Sequence, residues 1–93
     1  MKLSAKGRYA VMAMSDLAVQ ARLDAKRPVS LAEIGMREGI SLSYLEQLFA
    51  RLRRAGLVTS IRGAQGGYCL SAGAAEICIG DIIRAVDEPI EVT

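Results

Sequence analysis

Residues 28–70, PVSLAEIGMREGISLSYLEQLFARLRRAGLVTSIRGAQGGYCL, decide the fold. They read as a short helix over 30–38, a glycine turn, a second helix over 42–55, and two strands within 57–71 linked by Gly63-Ala64-Gln65-Gly66-Gly67. That order is a helix-turn-helix followed by a wing. Ser30 with Glu33 three residues on predicts a capping box, each side chain satisfying a backbone N–H at the helix start. Gly39 supplies the left-handed conformation that stops the first of the two helices, and the chain turns through Ile40 and Ser41. Gly35, four residues earlier, is small enough for the next helix to cross closely. Ile34, Ile40, Leu45 and Leu48 are the apolar residues expected at that crossing.

In the second helix Leu45, Leu48, Phe49 and Leu52 stand at i, i+3, i+4 and i+7 and form the expected buried stripe. Ser43, Tyr44, Glu46, Gln47 and Arg51 are left on the other side, with Ser41 in the turn before them. Hydrogen-bonding groups beside a flat aromatic suit the reading of base edges in a major groove, whereas the bland alternative is a solvated helix face. Glu46 carries two readings. A carboxylate facing the groove is repelled by phosphates and by the acceptors of guanine yet accepts from the amino group of cytosine, so it filters sequence. Alternatively, Ser43 with Glu46 forms a second capping box.

The runs 57–62 and 68–71 suit strands, and the glycine-rich link between them suits a hairpin with Arg62 at its tip. With Gly63, Gly66 and Gly67 around it, the backbone can approach a surface and the guanidinium can enter a narrow minor groove. Phosphate cradling of a nucleotide fails on context. No lysine followed by serine or threonine closes the loop, and no helix starts directly after it.

Four strings, KGRYAVMAM (6–14), ISLSYLEQLFARLRRAGLV (40–58), RGAQGGY (62–68) and IIRAVDEPIE (82–91), carry a resemblance to the IscR and NsrR type of bacterial transcription regulator. That type consists of dimeric winged-helix proteins, and the resemblance covers nearly the whole chain. It implies double-stranded DNA as partner and a homodimer for a full-length member. It also implies major-groove contacts from Ser43, Tyr44 and Gln47, and a minor-groove contact from Arg62. Family members continue into a cysteine-bearing loop that holds a [2Fe-2S] cluster and into a long pairing helix. The sequence stops at Thr93, about where that loop would begin, so the cofactor is implied only if such a loop follows, and the signal sensed stays open.

Composition fits one mainly α domain over 1–93 with a small β-hairpin. A chain of 93 residues buries roughly 60–65% of its unfolded surface, enough for one core with little margin. At 52% hydrophobic with 4% aromatic, that core is built from aliphatic side chains. No apolar run approaches the roughly 18 residues of a spanning helix, and the N-terminus lacks the hydrophobic stretch of a secretory signal, so a cytoplasmic protein without membrane contact is expected. The net charge of +2 hides a gradient: residues 1–70 sum to +6 and residues 71–93 to −4. A basic face suits the DNA backbone, and Lys2, Lys6, Arg8, Arg51, Arg53 and Arg54 are the candidate phosphate contacts, each also readable as a solubilising charge.

The first helix, about 4–22 with Ser4 as its cap, is apolar over much of its circumference. One stripe runs through Tyr9, Ala10, Ala13, Leu17 and Ala21, and Val11, Met14 and Ala18 widen it. Cover on more than one side is therefore expected, one side from the helix-turn-helix and another from the family's pairing helix. Met12 and Met14 read as packing residues rather than metal ligands. The last helix, about 79–88, is expected to bury Ile79, Ile82, Ile83 and Val86 and to stop ahead of Pro89.

Cys69 and Cys78 are both expected to be buried. As two thiols with no histidine in the chain, they fall short of the four ligands a [2Fe-2S] site takes, so no metal site is expected within 1–93. An enzyme with a small-molecule substrate is disfavoured, because histidine is absent and the acidic residues Asp81, Asp87, Glu88 and Glu91 have no nucleophile beside them. A winged-helix protein-interaction module without DNA readout is the alternative; such modules tend to lose the arginine tip and the polar helix face that this chain keeps.

Overall fold

The computed structural model describes residues 4–24, 27–71 and 76–87. Its elements are α1 (Ala5–Leu23), α2 (Leu31–Glu38), α3 (Leu42–Arg54), β1 (Val58–Ile61), β2 (Gly67–Leu70) and α4 (Ile79–Asp87), a helical winged helix-turn-helix with a two-stranded antiparallel hairpin. The expectations for Lys2, Glu88, Pro89 and Glu91 lie outside the described residues.

A serine starts each of the first three helices. Ser4, Ser30 and Ser41 are extended, and their hydroxyls accept the N–H of Gly7 (2.9 Å), Glu33 (3.2 Å) and Tyr44 (3.3 Å). Each satisfies one of the donors that a helix start leaves without a partner. The reciprocal half of the Ser30 box does not form. The Glu33 carboxylate turns instead to Arg27 (3.0 Å) and lies 3.6 Å from Arg37, since charge-assisted bonds from one guanidinium with a second cation nearby outweigh one to a backbone N–H.

Gly39 ends α2 with φ 69°, and both its N–H and that of Ile40 donate to Gly35 O, at 2.9 and 3.1 Å. A Cβ on Gly35 would lie 2.7 Å from the Ile40 carbonyl oxygen and 3.4 Å from Leu45 Cδ1. The turn and α3 therefore sit where only glycine leaves room. Ile34, Ile40, Leu45, Leu48, Phe49 and Leu52 fill the crossing and continue into Ala10, Ala13, Met14 and Leu17 of α1 and Ile82 and Val86 of α4.

The strands are shorter than the sequence suggests, pairing Val58 with Leu70 through Ile61 with Gly67. The chain just before α2 joins them: Val29 N–H donates to Tyr68 O (3.0 Å) and Tyr68 N–H to Val29 O (2.8 Å). A Cβ on Gly67 would lie 2.4 Å from Val29 O, so this joint also admits only glycine.

Three burial expectations, for Cys69, Cys78 and Ile79, are corrected. Cys78 is exposed and Cys69 only half-buried. Cys78 precedes α4, where its carbonyl takes the N–H of Asp81 and Ile82 while the thiol stays outside the core. Ile79 is 60% exposed and lines, with Val11 and Ala18 of α1 and Ile77, an open groove rather than the closed core. Val19 and Leu23 of α1 are exposed as well, so the second side of α1 is not covered among the described residues.

Asp16 is the one buried charged residue among the described ones, and the sequence reading passed over it. Arg37 Nε and Nη2 donate to its two oxygens at 2.9 and 2.8 Å, tying α2 to α1. Burial pushes the Asp16 carboxyl up, but the Arg37 bonds, a bond from Glu38 and the Arg37 charge outweigh it and hold it below the usual 3.8. The Glu38 carboxyl is raised above 4.5, first by its hydrogen bond to Asp16, then by burial and the Asp16 charge, against the pull of Arg37. The two act oppositely on stability. Asp16 stabilises the fold above 3.8, and that contribution is lost as pH falls through its depressed folded value. Glu38 favours the fold below 4.5, and that contribution is lost as pH rises through its raised folded value. Asp16→Asn is expected to lower stability at neutral pH by about 1–3 kcal/mol, less than for a pair buried on both sides because Arg37 reaches water. Thermal melts across pH 3–8 should show that deficit shrinking in acid, whereas Glu38→Gln should match or exceed the parent at neutral pH.

Candidate nucleic-acid interface

α3 buries Leu45, Leu48, Phe49 and Leu52 completely or nearly so, which fixes its rotation about its own axis. Ser43, Glu46, Gln47, Ala50, Arg53 and Arg54 are then exposed. These are the polar and small side chains that a helix laid in a groove would present, and Glu46 is the only acid in α3.

Two of the expected readers sit differently. Tyr44 is half-buried, its ring edge-on to Tyr9 of α1 with centroids 5.6 Å apart. Three- and four-residue spacing from Gln47 and Arg51 put it on their face in projection, but Tyr44 lies at the flank that α1 covers. Arg51 is half-buried and engaged within the chain. Ser41 is exposed but spends its hydroxyl oxygen on the α3 cap. Because Ser41 is the cap, Ser43 lies inside the helix, and the alternative of a second capping box from Ser43 to Glu46 is withdrawn.

The Arg8 guanidinium lies over the Tyr9 ring at 5.4 Å from its centroid, so an arginine, Tyr9 and Tyr44 run in series from the start of α1 to the first turns of α3. Lys6 and Arg8 are exposed in the first turn of α1, which holds no acidic residue. Cations there oppose the helix dipole by about 0.3–1 kcal/mol each, an arrangement that an approaching polyanion would reverse. Arg53 and Arg54, in the last turn of α3, accord with the dipole and remain exposed.

Arg62 is exposed and directly follows β1. Of the three glycines expected to let the wing tip approach a surface, only Gly63 stands in open space, with φ 116°. A Cβ on Gly66 would meet Ile61 O at 2.3 Å and Gly63 O at 2.8 Å, inside the turn, and Gly67 faces Val29. Those two glycines build the wing rather than offer its backbone outward. Among the described residues there is no group of three or more His, Cys, Asp or Glu placed to hold a metal ion. Nor does any described helix have the length and apolar character to cross a membrane.

Comparison with known proteins agrees with this geometry. The family described as "Rrf2: Iron-dependent Transcriptional regulator" matches residues 3–93. The chain is similar to the HTH-type transcriptional regulator IscR of Vibrio atlanticus (strain LGP32), at 58% identity over 100% of this chain and 52% of the relative. It is also similar to the IscR of Escherichia coli O1:K1 / APEC, at 55% identity over 100% of this chain and 56% of the relative. The chain thus spans about half the length of the curated relatives it matches. Among solved structures, T. potens IscR superposes with TM-score 0.83 at 50% identity, covering 100% of this chain and 66% of that one. CymR, the global cysteine regulator of B. subtilis, gives 0.84 at 45% identity, covering 100% and 72%.

The cap assignment separates stability from surface chemistry. Ser41→Ala is expected to lower the unfolding free energy by about 0.5–2 kcal/mol. Ser43→Ala and Glu46→Ala should stay within about 0.5 kcal/mol of the parent, because neither side chain is used by the fold. Urea denaturation of the three variants measures the difference.

Proposed function

The chain belongs to the Rrf2 family of transcriptional regulators, and from that premise we propose that it binds duplex DNA sequence-specifically as a transcriptional regulator of the IscR kind. The observation that carries the reading is the α3 face: a helix locked by four buried apolar residues that still presents Ser43, Glu46, Gln47, Arg53 and Arg54 to solvent. Gln47 and Ser43 would meet base edges and Glu46 would exclude sites with guanine acceptors opposite it. Arg53, Arg54, Lys6 and Arg8 would neutralise phosphates, and Arg62 would enter the minor groove beside the wing. Tyr44 and Arg51 would position α3 against the backbone rather than read bases, since both are partly engaged inside the domain.

A single winged helix covers one half-site, so for a full-length family member the reading includes a homodimer, each subunit placing one α3 in the groove. A cytoplasmic location and the absence of a small-molecule substrate belong to the same proposal. The donor set within 1–93 does not fit a [2Fe-2S] cluster. Such a site takes four ligands, and this sequence has Cys69 half-buried in β2, Cys78 exposed before α4 and no histidine.

The test is binding of the 93-residue chain to duplexes enriched from a randomised library. With some four to six phosphates neutralised per subunit, log affinity should fall with log salt at a slope of roughly −4 to −5. Arg62→Ala should weaken binding by about 1–3 kcal/mol, and Glu46→Ala should bind as well or better while accepting more sequences. Affinity independent of salt, or an Arg62→Ala protein that binds like its parent, would sink the wing assignment. Iron and sulfide in the purified chain are expected far below stoichiometric amounts; one cluster per chain would overturn the ligand argument.

A further inference from the structure

Leu42 is the first residue of α3 and its side chain is 50% exposed. It belongs neither to the buried core nor to the partly buried apolar residues packed on it, so half of its apolar surface is left facing solvent. The other large exposed apolar residues among those described, Val19, Leu23, Met36, Ile61 and Ile79, stand on other elements. Leu42 alone lies on the helix with the exposed polar face. Residues four apart are neighbours on a helix surface, so Leu42 stands beside Glu46, in the half of a helix-turn-helix reader that reaches base edges.

Resting on the DNA-binding reading above, we infer that Leu42 is a specificity-determining residue that recognises the C5 methyl group of a thymine. The reason is chemical exclusion. Along the major-groove edge of the four base pairs the features are hydrogen-bond donors and acceptors, except for the thymine methyl, which is the apolar partner a leucine can cover. Against any other edge Leu42 would strip water from an acceptor or donor and return nothing. The neighbouring Glu46 sharpens the choice. Its carboxylate excludes the acceptor-rich edge of guanine and accepts from the cytosine amino group, so this ridge of α3 favours pyrimidines through one apolar and one acidic side chain.

The test uses the tightest site enriched from a randomised duplex library by the unmodified chain. Each thymine is replaced singly by deoxyuridine, which deletes the methyl and leaves pairing intact. One thymine per half-site is expected to lose about four-fold in affinity on replacement, the effect of returning one buried methyl to water. Leu42→Ala should bind the thymine and uracil forms of that site equally, while Leu42→Met, still apolar and of similar reach, should keep the preference. An enriched half-site without thymine, no uracil penalty at any position, or a penalty unchanged in Leu42→Ala overturns the inference while leaving DNA binding intact. Failure of the unmodified chain to enrich any sequence overturns the DNA-binding reading itself, and the inference with it. Because the absence of a uracil penalty on the unmodified chain overturns the inference by itself, and Leu42→Met tests the attribution with a similar side-chain volume, a Leu42→Ala protein that folded poorly would not shield the idea.

Discussion

Val29 and Tyr68 exchange two backbone hydrogen bonds, and the relative placement of helix pair and wing hangs on that joint. The chain between α1 and α2 is thereby made a partner of β2, one residue ahead of the Ser30 cap. Gly67 makes it possible by presenting no Cβ where the Val29 carbonyl must pass. The Tyr68 ring then lies 4.9 Å from that of Phe49, so the strand is held to α3 by its side chain and to the segment just before α2 by its backbone. An isolated two-stranded hairpin is at best marginal in water. This one is ordered because it is bonded and packed to the helices. The proposed reading of one groove by a helix and of an adjoining one by a wing needs that rigidity, since any hinge between the two would loosen both contacts.

The polar contacts divide between those the fold consumes and those it leaves free. Asp16 and Arg37 lock α2 to α1, Glu33 gathers Arg27 and Arg37, and Ser4 donates to Asp87 at 2.7 Å to bring the start of α1 to the end of α4. Arg53, Arg54 and Arg62 sit among no such partners in these contacts, and Lys6 and Arg8 oppose the dipole of their own helix. Exposed cations that none of these ion pairs consumes are the ones available to a polyanion. Ion pairs that exposed rarely contribute more than about 1 kcal/mol to folding, so leaving these cations outward costs the domain little.

The fold was legible in residues 28–70 because its signals are local. Serine caps, a positive-φ glycine and a 3.6-residue apolar period act within a turn or two of the chain, and they placed α2 and α3 to within a residue or so of their observed bounds. Long-range features were not legible. Nothing near Asp16 in sequence announces Arg37, 21 positions away, and nothing near Val29 announces Tyr68. Periodicity also overreached: it put Ile79 in the buried stripe of α4 and Tyr44 on the open face of α3, because a helical wheel carries no information on where neighbouring elements end. Gly66 and Gly67 depart from expectation for a related reason. Sequence shows that a position tolerates no side chain, and only the fold shows whether chain or ligand occupies the space.

That last distinction bears on how α3 divides its surface. Its circumference holds a buried stripe, one flank at Tyr44 and Arg51 spoken for by the rest of the domain, and a remainder exposed to solvent among the described residues. The remainder contains Leu42 and Glu46 together, an apolar and an acidic side chain, neither of which attracts phosphate. A surface built only for electrostatic adhesion would place lysine or arginine there, as the last turn of the same helix does with Arg53 and Arg54. Under the proposed DNA reading, affinity that falls steeply with salt and preference that depends on base edges would thus belong to different turns of one helix. The C-terminal turn would supply charge that any duplex satisfies, and the N-terminal turns would carry groups that most sequences fail to match.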